Sequence, residues 1–142
     1  MAVLGGWRKS IFYVIDSTIF PEISQDEYRE YCINKKDVTE CFPFDKTTLV
    51  FKVMGKMFAL TGLENKVFCV NLKYNTEKSI ELRANYKSVE PGWHMNKRMW
   101  NTVNFEHSEL KNITLRDLID HSYEEVVKSL PKQKQKELFN LS

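Results

Sequence analysis

The stretch EPGWHMNKRMWNTV, from Glu90 to Val103, concentrates side chains able to hold a polyanion. Trp93 and Trp100 flank His94, Asn96, Lys97 and Arg98, and Lys87 lies just upstream. Lysine and arginine neutralise phosphates and release condensed counterions. An exposed aromatic face beside them stacks bases, at roughly 1–3 kcal/mol per base. On this chemistry Lys87, His94, Lys97 and Arg98 are expected to contact phosphates, Trp93 to stack and Asn96 to complete a nucleic-acid site. A plainer reading competes. Pro91-Gly92 is turn chemistry, because proline presets one torsion and glycine permits the next. In that reading His94 and Asn96 satisfy backbone groups in a bend, and Trp100 opens a strand and fills the core.

A second basic cluster, Lys128, Lys132, Lys134 and Lys136, follows the last long helical pattern. Cations near a helix end are favoured by its dipole without any partner, and sequence does not place this cluster relative to the first. Glu22, Asp26, Glu27 and Glu30 crowd one segment, but Arg29 interrupts them and acids are already stabilised at a helix start. His94, His107 and His121 lack the spacing of helical ligand pairs, and the three cysteines, Cys32, Cys41 and Cys69, form no C-x-x-C. No metal or cofactor is therefore expected. Catalysis has little support: neither G-x-S-x-G nor a phosphate-cradling glycine loop occurs, and Cys69 sits within a strand pattern. Unpaired thiols fit a reducing compartment, hence cytoplasm. No apolar run approaches the roughly 18 residues of a membrane helix.

These candidates need a scaffold, and 142 residues suffice for one domain with its own core. Hydrophobic content of 42% and a net charge of +2 are those of an ordinary globular chain, so a charged partner must be argued from clustering rather than totals. Residues 1–23 read as an extension, an extra strand or loosely attached segment, ahead of one domain at 24–142. Ser24 with Glu27 three residues later is a capping-box signature for a helix to about Asn34. The FPFD stretch at 42–45 reads as a loop. TTLVFKV, MFALTGL and VFCVNLK then form a meander, separated at Gly55-Lys56 and Glu64-Asn65-Lys66. A second helix follows with Thr76 as its cap, then a strand from Trp100. Leu115, Leu118, Ile119, Ser122, Tyr123, Val126, Val127 and Leu130 make one helical stripe, and Pro131 starts a final basic turn. The order helix, three strands, helix, strand, helix implies an α+β fold, a single antiparallel sheet covered on one face by helices.

The segments FPFDKTTLVFKVMGKMFAL, VNLK, EPGWHMNKRMWNTV and LIDHSYEEVVKSLPKQKQKEL, across about Gln25 to Leu138, resemble the MmcQ/YjbR family of small bacterial proteins. The resemblance implies a compact α+β domain related in shape to frataxin-like sheets, a double-wing arrangement and DNA binding. The leading expectation is a non-enzymatic cytoplasmic protein binding nucleic acid through the basic-aromatic turn. The alternative is a protein-interaction module or homodimer using an apolar sheet face with Val50, Phe58 and Leu60. A third is a small-ligand or metal-binding protein with His94 in a pocket.

Overall fold

The computed structural model describes residues 23–92, 95–106 and 109–140. Helix α1, Gln25–Ile33, begins at the predicted capping box: Ser24 Oγ accepts from the Glu27 amide at 3.1 Å, and Glu27 Oε1 accepts from the Ser24 amide at 3.0 Å. Strands β1 (Val38–Cys41), β2 (Thr48–Val53), β3 (Lys56–Gly62) and β4 (Cys69–Lys73) follow, then helix α2 (Thr76–Asn85), strands β5 (Val89–Pro91) and β6 (Trp100–Asn104), and helices α3 (Asn112–Lys128) and α4 (Lys132–Asn140). Every strand pairs antiparallel with its neighbours, in the order β1-β2-β3-β4-β6-β5. The expected α+β architecture is present, with one sheet and a helical layer.

Several local expectations need correction. The sequence shows no sign of β1, a four-residue edge strand. Pro91 ends a strand, paired with Asn101, rather than lying in a turn. The β2–β3 turn is Met54-Gly55, both at positive φ, the geometry that lets a two-residue hairpin follow the sheet's twist. Asn75, not Thr76, caps α2, its Oδ1 accepting from the Lys78 amide at 2.8 Å. Residues 1–22 lie outside the described residues, and Ile23 is already in the core.

Strand alternation divides the sheet into two faces. Leu49, Phe51, Val53, Phe58, Val70, Leu72, Val89 and Val103 join Tyr28 and Cys32 of α1, the α3 stripe and Leu138 of α4 in one core. Tyr28 meets the rings of Phe51, Phe68 and Phe105 edge-on at 5.6, 5.5 and 5.8 Å, a geometry that adds about 0.5–1.5 kcal/mol per pair to simple burial. The opposite face bears a smaller apolar cluster, Val50, Leu60 and Trp100, with Cys41, Met57 and Met95 against it and no residue from a described helix.

Ser122, fully buried within the α3 stripe, is its polar member. Its hydroxyl donates to the Phe58 carbonyl at 2.5 Å and accepts from the Lys73 amide at 2.7 Å. Ser122→Ala strands both backbone groups in the core, and is expected to lower unfolding stability by about 1–3 kcal/mol. Urea denaturation measures this; an unchanged midpoint and slope removes the hydroxyl from the account of how α3 docks.

Candidate nucleic-acid interface

The segment joining β5 to β6 is built by its own side chains. Asn96 accepts twice through its carbonyl, from the amides of Met99 at 3.3 Å and Trp100 at 2.9 Å, and its Oδ1 accepts from the Arg98 amide at 3.0 Å. Asn96 thus forms the bend, as the plainer reading held. Arg83 of α2 clasps the bend from beneath. Its guanidinium donates to the carbonyls of Lys97 and, at 3.1 Å, Trp100, and to Asn101 Oδ1 at 2.7 Å. Asn101 in turn donates to Ser79 Oγ at 3.0 Å, closing a buried polar network. The Gly92 amide donates to the Trp100 carbonyl at 2.8 Å. A Cβ on Gly92 would stand 2.9 Å from Trp100 Cβ and 3.0 Å from its carbonyl oxygen, so the close approach requires glycine.

This frame separates the predicted site residues. Lys97 and Arg98 are exposed on the bend. The Lys97 ammonium donates to the Gly92 carbonyl at 3.1 Å, whereas the Arg98 guanidinium has no carboxylate partner among the described residues. Trp100 is 8% exposed and packs with Val50, Leu60 and Met95, so it is core rather than a stacking platform. Trp93 and His94 lie outside the described residues. Lys87 is exposed, but it precedes β5, and β5 runs antiparallel to β6. Lys87 therefore sits at the other end of the sheet, beside Ser88, whose amide donates to Glu109.

Other cations share the end occupied by Lys97 and Arg98. The register aligns the start of β1, the β2–β3 turn, the end of β4 and the start of β6 there. Lys52 and Lys73 alternate onto the face opposite α1 and α3 at this end, in positions the sequence reading did not single out. Lys56 reaches the Ser129 carbonyl at 3.4 Å, which brings the end of α3 and the start of α4 to the same side. Lys132, Lys134 and Lys136 are exposed on α4, which is seated by buried Leu138. Lys128 pairs with Glu125 at 3.6 Å, as surface helix charges often do. Nearby, Lys35 pairs with Asp120, which also accepts from Tyr31 Oη at 2.7 Å. Asp37, Glu124 and Glu125 are acids of this end. The bend and the start of α4 thus lie toward the same end of the sheet, the α4 lysines on its helix side and Lys52 and Lys73 on the other.

The remaining reactive groups are quiet. Burial pushes the Cys32 thiol up, and burial with the Glu90 and Glu106 carboxylates does the same for Cys69, so neither is a thiolate at neutral pH. His121 lies flat on Tyr74, with centroids 5.0 Å apart. No described helix is long and apolar enough to cross a membrane.

The YjbR family model matches residues 33–125. The Escherichia coli O157:H7 protein named "Uncharacterized protein YbdF" is 41% identical over 96 residues, covering 68% of this chain and 78% of its own. The "Uncharacterized protein YjbR" of Escherichia coli K12 is 33% identical over 116 residues, covering 81% and 97%. The crystal structure of Deinococcus radiodurans protein DR2400, of domain DUF419, superposes with a TM-score of 0.75 at 37% identity, over 83% of this chain and 89% of that one. A Pseudomonas syringae protein superposes at 0.59 with 25% identity, over 70% and 96%.

Arg83→Ala is expected to cost about 1.5–3 kcal/mol of stability, the scale of hydrogen bonds to a charged group, and to speed hydrogen exchange at the Met99 and Trp100 amides. Unaltered exchange there means that α2 does not hold the bend.

Proposed function

The chain belongs to the YjbR family, and from that premise we propose that it is a non-enzymatic cytoplasmic protein that binds nucleic acid with the cationic end of its sheet. The observation that carries this reading is clustering. Lys97 and Arg98 on the bend and Lys52 and Lys73 at strand ends share one end of the sheet, although they come from distant parts of a chain whose net charge is only +2, and Lys132 and Lys134 on α4 add charge on the helix side. Such clustering raises the local potential over a polyanion's path without a large overall charge. Arg98 is the leading phosphate contact, because its fork has no carboxylate partner among the described residues and matches phosphate geometry. Lys97 contributes charge but shares its ammonium with Gly92. Lys128 pairs within its own helix, and Asn96 serves by shaping the bend. Trp93 and His94 keep their proposed roles in stacking and phosphate contact. The free cysteines support a reducing compartment, and burial that raises the Cys32 and Cys69 thiols argues against either of these two as a nucleophile. One domain at 24–142, with 1–23 as its extension, is part of the same reading.

The protein-interaction alternative loses its basis in the residues first named for it. Val50 and Phe58 are 0% and Leu60 8% exposed, so these side chains offer a partner no apolar surface.

Fluorescence anisotropy with labelled single- and double-stranded DNA across a salt series tests the proposal. Affinity is expected to fall linearly on a log–log scale. Arg98→Ala is expected to flatten the slope by about 0.9 on duplex and about 0.7 on single strands, one phosphate's worth, and Lys97→Ala/Arg98→Ala by about 1–2. Lys87→Ala, at the far end of the sheet, is expected to leave the slope unchanged. A double variant with the wild-type slope removes the bend from the site.

A further inference from the structure

The sheet face opposite α1 and α3 contains a cleft of about 490 Å³, lined by Phe44, Thr48, Leu60, Gly62, Asn65, Asn71 and Met95. Its volume lies within the roughly 300–1,000 Å³ of small-ligand sites, and none of its lining residues is charged. It therefore suits a neutral, flat, polar group better than an ion.

Phe44 stands at its rim, 66% exposed. An aromatic ring left in water on a loose loop would cost little to fold away, but this loop is fixed. The Asp45 carboxylate accepts from the amides of Thr47 and Thr48 at 2.9 and 2.7 Å and from Thr48 Oγ1 at 3.1 Å. Those bonds hold its pKa below the usual carboxylate range. The Thr47 carbonyl accepts from the Leu63 amide at 2.7 Å, tying the loop to the end of β3. Phe44 is thus presented in advance, so a ligand would not have to order it. In the floor, Asn71 Oδ1 accepts from Thr102 Oγ1 at 2.5 Å. That bond orients the amide and leaves its NH2 group to donate to a ligand.

Asn71 and Lys73 are two residues apart on β4 and point to the same face, about 7 Å apart along the strand. Lys73 pairs in register with Trp100, next to Arg98 on the bend. Neutral amides and a ring therefore lie at one end of the face, and cations at the other. Glu90, opposite Thr102 on the same face, disfavours phosphates along the β5 border and leaves the Lys73 side open to them.

We infer that this cleft takes an unpaired base of a single-stranded nucleic acid, stacked on Phe44 with its edge against Asn65 and Asn71, while the adjoining phosphates run toward Lys73 and Arg98. The inference rests on the nucleic-acid reading above and narrows it to a strand whose bases are free of pairing. Splayed bases stacked on aromatics and read along their edges are how unpaired strands are commonly recognised.

The test compares a labelled oligothymidine with an abasic oligonucleotide of equal length and charge, by anisotropy. The wild type is expected to bind the oligothymidine more tightly. Phe44→Ala is expected to weaken oligothymidine binding about 5- to 150-fold, the range of base–aromatic stacking, and to leave abasic binding and both salt slopes unchanged. Phe44→Trp is expected to restore the preference. Phe44 is exposed, so these variants retain the fold, which circular dichroism checks. Equal wild-type affinity for the two strands, or a Phe44→Ala variant that keeps full oligothymidine affinity, overturns the cleft while charge-driven binding stands. No measurable binding of either strand overturns both.

Discussion

A serine hydroxyl occupies the place of a sheet hydrogen bond. The β3–β4 ladder holds Ala59 opposite Leu72 and Leu60 opposite Asn71, and the next rung would set Phe58 against Lys73. Ser122 enters from α3 and bonds to both instead. The neighbouring pair accommodates this, because the β2–β3 register steps from Phe51–Ala59 to Lys52–Met57, leaving Phe58 as an extra residue. A bulge of this kind bends its strand and strengthens the local twist. Beyond the wedge, the Tyr74 amide is available to the Met99 carbonyl at 2.8 Å, which ties the basic bend to the end of β4. The helix layer thereby sets the position of a surface on the other side of the sheet.

The sequence displays this frame unevenly. The capping box at Ser24, the meander and the α3 stripe are strong periodic signals, and the structure contains each of them. β1 is four residues of mixed character, VTEC, too short for alternation to register. β5 is shorter still and ends in proline, so Lys87 looked adjacent to Lys97 when an antiparallel strand separates them. Trp100 was ambiguous as an isolated indole, and its burial follows from sheet partners that only tertiary structure supplies. Lys52 and Lys73 were visible as the polar members of alternating strands, but their meeting at one end depends on register. Phe44 lay in a loop whose F-D-x-T-T sequence carries the Asp45 turn, a local signal for an ordered aromatic.

Charge distribution links this architecture to its proposed use. Lys97, Arg98, Lys52 and Lys73 gather at one end of the sheet, with Asp37, Glu124 and Glu125 nearby, while Lys87, Glu106 and Glu109 lie at the other, where β5 begins. Cations clustered on a nearly neutral protein raise the local field that a polyanion meets, which favours productive encounters over random ones. Such steering weakens over distances longer than about 8 Å at physiological ionic strength. The bend therefore matters, because its hydrogen bonds set the Arg98 backbone at the exposed end of the sheet.

The same short β5 also sets the border of the sheet. Its amides toward β6 belong to Glu90 and Gly92, so those of residues 89 and 91 face outward. The Val89 amide is already spent on the Tyr86 carbonyl at 3.2 Å, and Pro91 has none to give. A strand arriving from another chain finds no free backbone donor at Val89 or Pro91, only their carbonyls, so extension of the sheet from β5 is disfavoured. Of the two margins described, β1 is the one left to guard against runaway strand addition.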